Sequence, residues 1–175
     1  MRRKTATYTV EITRQHDTLI TVYLPEVVKY APLKFKNEKE RMAYTKLVRD
    51  VKKTLPYAKE VAAAIIESYE MMRTFETDKE RQKFLEDVQK FILDKYKPKM
   101  KKLTRTQGKI LVKLIDRETN SSSYEIVKSL VGSFKAGLYN TFAALFGNNL
   151  KTRYAPDGED RMIERIAIEI EQGQL

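Results

Sequence analysis

Eight Lys and Arg residues between positions 95 and 113 form the feature best suited to binding chemistry, and no acidic residue interrupts them. Cations repeated at short intervals along one side of a helix suit a polyanion with regularly spaced charges. A solvated helix face is the other interpretation, because exposed helix faces are normally charged. Base stacking is poorly indicated, since the only aromatic residue nearby is Tyr96. The predicted anion- or partner-binding group is Lys101, Lys102, Arg105, Lys109 and Lys113.

A second group, Gln107, Asp116, Arg117 and Glu118, could form a polar cluster. Two carboxylates beside an arginine could perform acid–base chemistry or hold Mg²⁺. A helical projection places Asp116 on the basic side and both Gln107 and Glu118 on the apolar side. A carboxylate on an apolar face is either a hydrogen-bonded structural group or a functional one, and both interpretations stay open.

Several classes of chemistry are excluded or unsupported. The chain contains no Cys and one His, so thiolate chemistry, disulfides and multi-His metal sites are absent. His16 lies in a predicted turn beside Asp17, and nothing local marks a serine for a catalytic triad. The segment Gln107-Gly108-Lys109 lacks the upstream glycine and the following Ser or Thr of a phosphate-binding loop. We therefore predict no catalytic residue, no metal site and no cofactor.

The elements that position these residues follow from hydrophobic periodicity. Residues 5–30 alternate apolar and polar side chains, which predicts a β-hairpin or small sheet. From residue 37 onward the apolar spacing becomes helical, with capping signatures at Asn37, Thr77 and Ser122. Pro56 is expected to separate two helices, and Pro98 to end or kink the next. The later helices are expected at about 102–118 and 122–146. A last helix, capped by Asp157 or Asp160, is expected to carry Met162, Ile163, Ile166 and Ile170.

These patterns predict a single domain over residues 1–175, mainly α within the α+β class. The N-terminal hairpin or small sheet, residues 5–30, packs on a bundle of about six helices, residues 37–172. The longest helix, 122–146, is apolar around much of its circumference and is expected at the centre of the bundle. On the projected fourth helix, Lys102, Arg105, Lys109 and Lys113 fall on the side opposite the apolar face.

Composition favours a globular protein with an anionic partner. Of 175 residues, 42% are apolar and 33% charged, and the formal net charge is +10. Such a charge favours nucleic acid, anionic lipid or an acidic protein, although it can also serve solubility alone. No apolar stretch reaches the about 20 residues of a transmembrane helix. Polar residues follow Met1-Arg2-Arg3-Lys4, so we expect no export signal in this sequence.

Long ordered segments resemble domain-of-unknown-function family 4294, which is found in Bacteroidetes. They are LPEVVKYAPLKFKN (24–37), TKLVRDVKKTLPYAKE (45–60), KPKMKKLTRTQGKILVKLIDRET (97–119), SSYEIVKSLVGSFKAGLYNTFAALFG (122–147) and YAPDGEDRMIER (154–165). The resemblance extends from about Tyr8 to Leu175. It implies no known activity, cofactor or catalytic residue. Family members typically begin with an export signal, so the resemblance implies the periplasm or cell envelope.

Three functional hypotheses remain open. The first is a non-enzymatic binding or assembly module of the bacterial cell envelope, with a basic surface for an acidic protein or other anionic envelope partner. The second is a nucleic-acid-binding domain, if the protein is cytoplasmic. The third is a carboxylate-based hydrolase that uses Asp116, Glu118 or Glu125. The sequence indicates neither the identity of the partner nor the oligomeric state.

Overall fold

The computed structural model describes residues 2–4, 10–12, 20–22, 27–72, 74–120, 146 and 154–175. These residues contain four helices, which we number α1 (Glu38–Met72), α2 (Asp78–Met100), α3 (Arg105–Asn120) and α4 (Arg161–Glu171). The prediction of a mainly helical protein is therefore confirmed. The total of about six helices stays a prediction. The expected central helix 122–146, its Ser122 cap and the turn-like His16 lie almost wholly outside the described residues.

Four short strands precede the helices: β1 (Arg2–Lys4), β2 (Val10–Ile12), β3 (Ile20–Val22) and β4 (Val28–Tyr30). Strand β1 pairs antiparallel with β4, and β2 pairs antiparallel with β3. Because residues 13–19 lie outside the described part of the chain, the β-hairpin stays a prediction.

Strand β4 contacts α4 and the residues that follow α4. Val28 is buried, and its carbonyl oxygen accepts a hydrogen bond from Gln174 Nε2 at 3.4 Å. The guanidinium of Arg165 lies 4.9 Å from the centre of the Tyr30 ring, which is cation–π distance.

Helix α1 is continuous through Pro56, so the predicted break into two helices at this residue is wrong. Proline removes the N–H that would bond to the carbonyl of Lys52 and normally kinks a helix. Here Pro56 is exposed, so water can hydrate a backbone carbonyl that loses its helical hydrogen bond. The buried residues Leu55 and Ala58 on either side of it belong to the same core cluster.

The predicted caps at Asn37 and Thr77 are confirmed. Asn37 Oδ1 accepts from the backbone N–H of Glu40 at 2.9 Å. Thr77 and Glu80 form a reciprocal capping box at the start of α2. Pro98 does not end α2, which continues to Met100.

Helix α3 begins three residues later than expected, at Arg105, because Thr104 and Gln107 form a capping box. The N–H of Gln107 donates to Thr104 Oγ1, and the N–H of Thr104 donates to Gln107 Oε1, both at 3.2 Å. Lys102 consequently lies in the turn before α3 rather than on the helix.

The hydrophobic core lies where α1, α3 and α4 meet, and α2 contributes its C-terminal half. Helix α1 packs chiefly against α3. Gly108 of α3 accommodates Phe146, because a Cβ atom at position 108 would overlap the buried ring of Phe146. The best-buried members of the core are Val51, Ala58, Val61, Ile92, Leu111, Leu114, Ile166 and Ala167.

Candidate functional site

Four members of the predicted anion-binding group are exposed around the turn between α2 and α3. Lys101 and Lys102 lie in the turn, and Arg105 and Lys109 lie one helical turn apart on α3. Within the described residues, no carboxylate forms an ion pair with any of them. We call Lys101, Lys102, Arg105 and Lys109 the basic surface.

Lys113, the fifth member of the predicted group, has a different environment. Its side chain is largely buried, and its ammonium donates to Asp160 Oδ1, immediately before α4. The structure therefore separates Lys113 from the basic surface, since an acidic residue of the same chain already neutralises it.

Aromatic rings hold two further lysines of α2. Lys99 Nζ lies 5.4 Å from the ring centres of both Tyr57 and Tyr96. Lys95 Nζ lies 5.2 Å from the Tyr96 ring and 5.7 Å from the exposed ring of Phe91. The aromatic content of this region is thus higher than the sequence indicated. Tyr57 belongs to α1, so local sequence carried no signal that it would lie beside Lys99.

Arg117 is the centre of an ion-pair network that joins α3 to α4. Its Nε donates to Glu164 Oε2 at 2.8 Å, and its terminal nitrogens donate to Glu171 at 2.9 and 3.0 Å. It also pairs with the neighbouring Glu118. Lys59 of α1 reaches Glu171 at 2.8 Å and extends the network to a third helix.

The network shifts the ionisation of its members. Burial disfavours the charge of Arg117, but hydrogen bonds to Glu171 and Glu164 outweigh burial and raise its pKa. Burial likewise acts to raise the pKa of Glu171, but hydrogen bonds from Arg117 and Lys59 dominate and lower it. Both groups are therefore charged at neutral pH, which is the state of a structural ion pair.

The segment from Tyr154 to Asp160 closes over the end of α3. The N–H of Tyr154 donates to Asp116 Oδ2 at 3.0 Å, and the N–H of Ala155 donates to Asp160 Oδ2 at 3.0 Å. The Tyr154 hydroxyl donates to Glu164 Oε2 at 2.6 Å. Burial and this bond to a carboxylate raise the pKa of Tyr154. Asp160 occupies the N-cap position of α4, but its side chain makes no capping bond.

The structure brings together only part of the predicted polar cluster. Arg117 and Glu118 are in direct contact, and Asp116 is buried beneath Tyr154. The projection misplaced two carboxylates. Asp116 is buried and accepts a hydrogen bond from Tyr154, whereas Glu118 is partly exposed.

Gln107 lies apart from this cluster, about 15 Å along the axis of α3 from Arg117. Its Nε2 donates to the buried Asp50 of α1 at 2.8 Å, and its Oε1 accepts from Lys53 at 3.2 Å. Gln107 thus caps α3 and bridges it to α1. The Thr-x-x-Gln spacing could have identified the cap, but only the fold could identify Asp50.

The chemistry of these groups is that of ion pairing. Within the described residues, no group of three His, Asp or Glu side chains is arranged to hold a metal ion. Asp116 accepts from a backbone N–H and Glu118 is neutralised by Arg117, so neither is arranged as a general base. Glu125 lies outside the described residues. The four cations of the basic surface are exposed and have no ion-pair partner among the described residues.

In the part of the chain that the structure describes, no helix is both long enough and apolar enough to span a membrane.

Comparisons with known proteins establish the family. No curated protein and no solved structure matches the chain. A family model described as "Domain of unknown function (DUF4294)" matches residues 17–169. Because this match covers most of the sequence, the chain belongs to the DUF4294 family.

Proposed function

We propose that the protein is a non-enzymatic binding module that contacts an acidic partner through the basic surface, Lys101, Lys102, Arg105 and Lys109. The observation that carries the proposal is a contrast between cations. Those at the far end of α3, Lys113 and Arg117, are neutralised by carboxylates of the same chain. Those of the basic surface are exposed and have no ion-pair partner among the described residues.

Helix electrostatics supports the same proposal. The first turns of α1 and α2 each contain two acidic residues, which interact favourably with the positive end of the helix dipole. The first turn of α3 contains none, and Arg105 is its first residue. A cation there costs roughly 0.3–1 kcal/mol in place of a gain of similar size. Carboxylates of a bound partner would offset this cost.

An acidic protein of the cell envelope is the partner that the proposal favours. The envelope location follows the expectation from the resemblance to the family, and it selects a protein over a nucleic acid. Tagging the product of the natural gene and fractionating cells tests this part. Recovery in the cytoplasm would contradict the envelope role and favour nucleic acid as the polyanion.

The binding test compares two variants that lose the same number of charges. One replaces the basic surface with K101Q, K102Q, R105Q and K109Q. The control replaces four exposed lysines elsewhere with K39Q, K79Q, K83Q and K90Q. Fluorescence anisotropy would measure the affinity of each protein for a labelled polyglutamate peptide.

We expect the basic-surface variant to bind at least about tenfold more weakly, which is a loss of about 1.4 kcal/mol, with the control close to wild type. Equal weakening of both variants would show that net charge, rather than this surface, governs binding. A labelled DNA duplex provides the second probe. The nucleic-acid alternative would be favoured if the protein bound this duplex more tightly than polyglutamate. The affinity for the duplex should then also fall steeply between about 0.05 and 0.2 M salt.

A further inference from the structure

One narrow stripe of helix α3 is not fully buried. From residue 107 to residue 119, every position is buried except four. Three of these four are cations spaced four residues apart, and Arg105 extends the same spacing by one helical turn towards the basic surface. The stripe consists of Arg105, Lys109, Lys113 and Arg117.

The chain's own acidic residues cover one half of this stripe. Asp160 pairs with Lys113, and Glu164 pairs with Arg117 at 2.8 Å. The two carboxylates are four residues apart, as are the two cations. Because four residues rise about 6 Å along a helix, successive charges on the two sides meet in register. Two cations spaced i,i+4 thus pair with two carboxylates that are also spaced i,i+4.

The other half of the stripe repeats the spacing. Arg105 and Lys109 are exposed, are also four residues apart, and have no ion-pair partner among the described residues. Any helix that presents carboxylates one turn apart would meet them as the segment 160–164 meets Lys113 and Arg117.

We infer that the acidic partner docks on Arg105 and Lys109 with a helix whose carboxylates are spaced i,i+4. This inference rests on the proposed function, because it specifies the partner that the basic surface binds. The inference requires that affinity depends on the spacing of the partner's carboxylates as well as on their number. A flexible polyanion would match the stripe less well, because it must lose conformational entropy to hold its charges in register.

The test uses two labelled peptides of identical composition, each about 20 residues long and rich in Ala so that both are helical. In the first, glutamates form i,i+4 pairs on one face. In the second, they are spaced i,i+2 and point to opposite sides of the helix. Circular dichroism confirms equal helicity. Anisotropy then measures the binding of each peptide to the wild-type chain, to R105Q/K109Q and to the control K79Q/K83Q, which removes two exposed charges near the start of α2.

We expect the first peptide to bind wild type and the control about three- to tenfold more tightly than the second, and R105Q/K109Q to lose most of this preference. Equal binding of both peptides, weakened by R105Q/K109Q, would overturn the helix inference and leave the proposed function standing. Binding of neither peptide, or identical binding by all three proteins, would overturn both. Thermal unfolding of each variant checks that exchange of these exposed residues leaves the fold intact.

Discussion

Replacing Arg117 with Gln tests whether charge holds α4 against α3. The variant keeps part of the side chain's length and an amide donor but removes the charge that faces Glu118, Glu164 and Glu171. The three carboxylates would then lie close together, and Lys59 would still neutralise Glu171. We expect a substantial loss of stability because partly buried charges would lose their counter-ion.

The burial of the network sets the size of the effect. The side chain of Arg117 is 12% exposed, and those of Glu164 and Glu171 are 20% and 25% exposed. Removing one partner of a fully buried pair costs about 3–5 kcal/mol, whereas an exposed pair contributes about 0–1 kcal/mol. We expect R117Q to lower the free energy of unfolding by about 2–4 kcal/mol at neutral pH.

The matched control is R41Q, which makes the same chemical change in an exposed ion pair. Arg41 bonds to Glu38 at 2.7 Å, but its side chain is 63% exposed. We expect R41Q to cost less than about 0.5 kcal/mol, because solvent screens such pairs.

The loss in R117Q should also depend on pH. The pKa of Glu171 is lower in the folded protein than its ordinary value, so the folded state binds fewer protons than the unfolded chain. The contribution of the pair is complete above the unfolded pKa of about 4.3 and is lost as pH falls through the lower, folded pKa. The difference between wild type and R117Q should therefore shrink as the pH falls below about 4.

Urea denaturation followed by circular dichroism, at neutral pH and at about pH 3.5, measures both effects. A loss in R117Q no larger than that in R41Q would refute the assignment of a partly buried network. A loss of the same size at both pH values would show that Arg117 stabilises the protein by packing rather than by charge.

Three other substitutions test separate parts of the argument. G108A should cost about 1–3 kcal/mol by overpacking against Phe146, whereas G158A, whose added Cβ meets only ordinary contacts, should be near neutral in urea denaturation. R105E should raise the free energy of unfolding by roughly 0.6–2 kcal/mol, because it replaces an unfavourable helix-dipole interaction with a favourable one, and it should weaken binding of an acidic peptide; a lower melting temperature would contradict this account of α3. T77A should cost about 1 kcal/mol in thermal unfolding through loss of the capping box, and an unchanged midpoint would contradict that role.

Local signals in the sequence predicted the helical class and the start of two helices. Asn37 and Thr77 cap as their spacing indicated, because a capping bond joins residues only three apart. Pro56 led to a wrong prediction because its effect is not determined by local sequence. Its effect on α1 depends on tertiary packing and on which side of the helix faces water, and neither is encoded within one helical turn.

The polar cluster could not be assembled from sequence because its bonds join distant residues. Glu164 and Glu171 lie 47 and 54 residues beyond Arg117, and Gln107 lies 57 residues beyond Asp50. Periodicity predicts which face of a helix is apolar, but it does not predict which charged residue of another helix meets that face. The predicted polar cluster for this reason included both Gln107 and Arg117, although the fold places them at opposite ends of α3.

The cations of α3 show why net charge alone could not distinguish solubility from binding. A formal charge of +10 counts Arg117 and Lys109 alike. In the fold, Arg117 is neutralised by the carboxylates of α4 and contributes to packing, whereas Lys109 faces solvent. The charges relevant to an external partner are therefore those that remain after intramolecular pairing. Among the described residues of α3 they lie at its N-terminal end, where the helix dipole makes their presence least favourable for folding and a bound carboxylate most favourable.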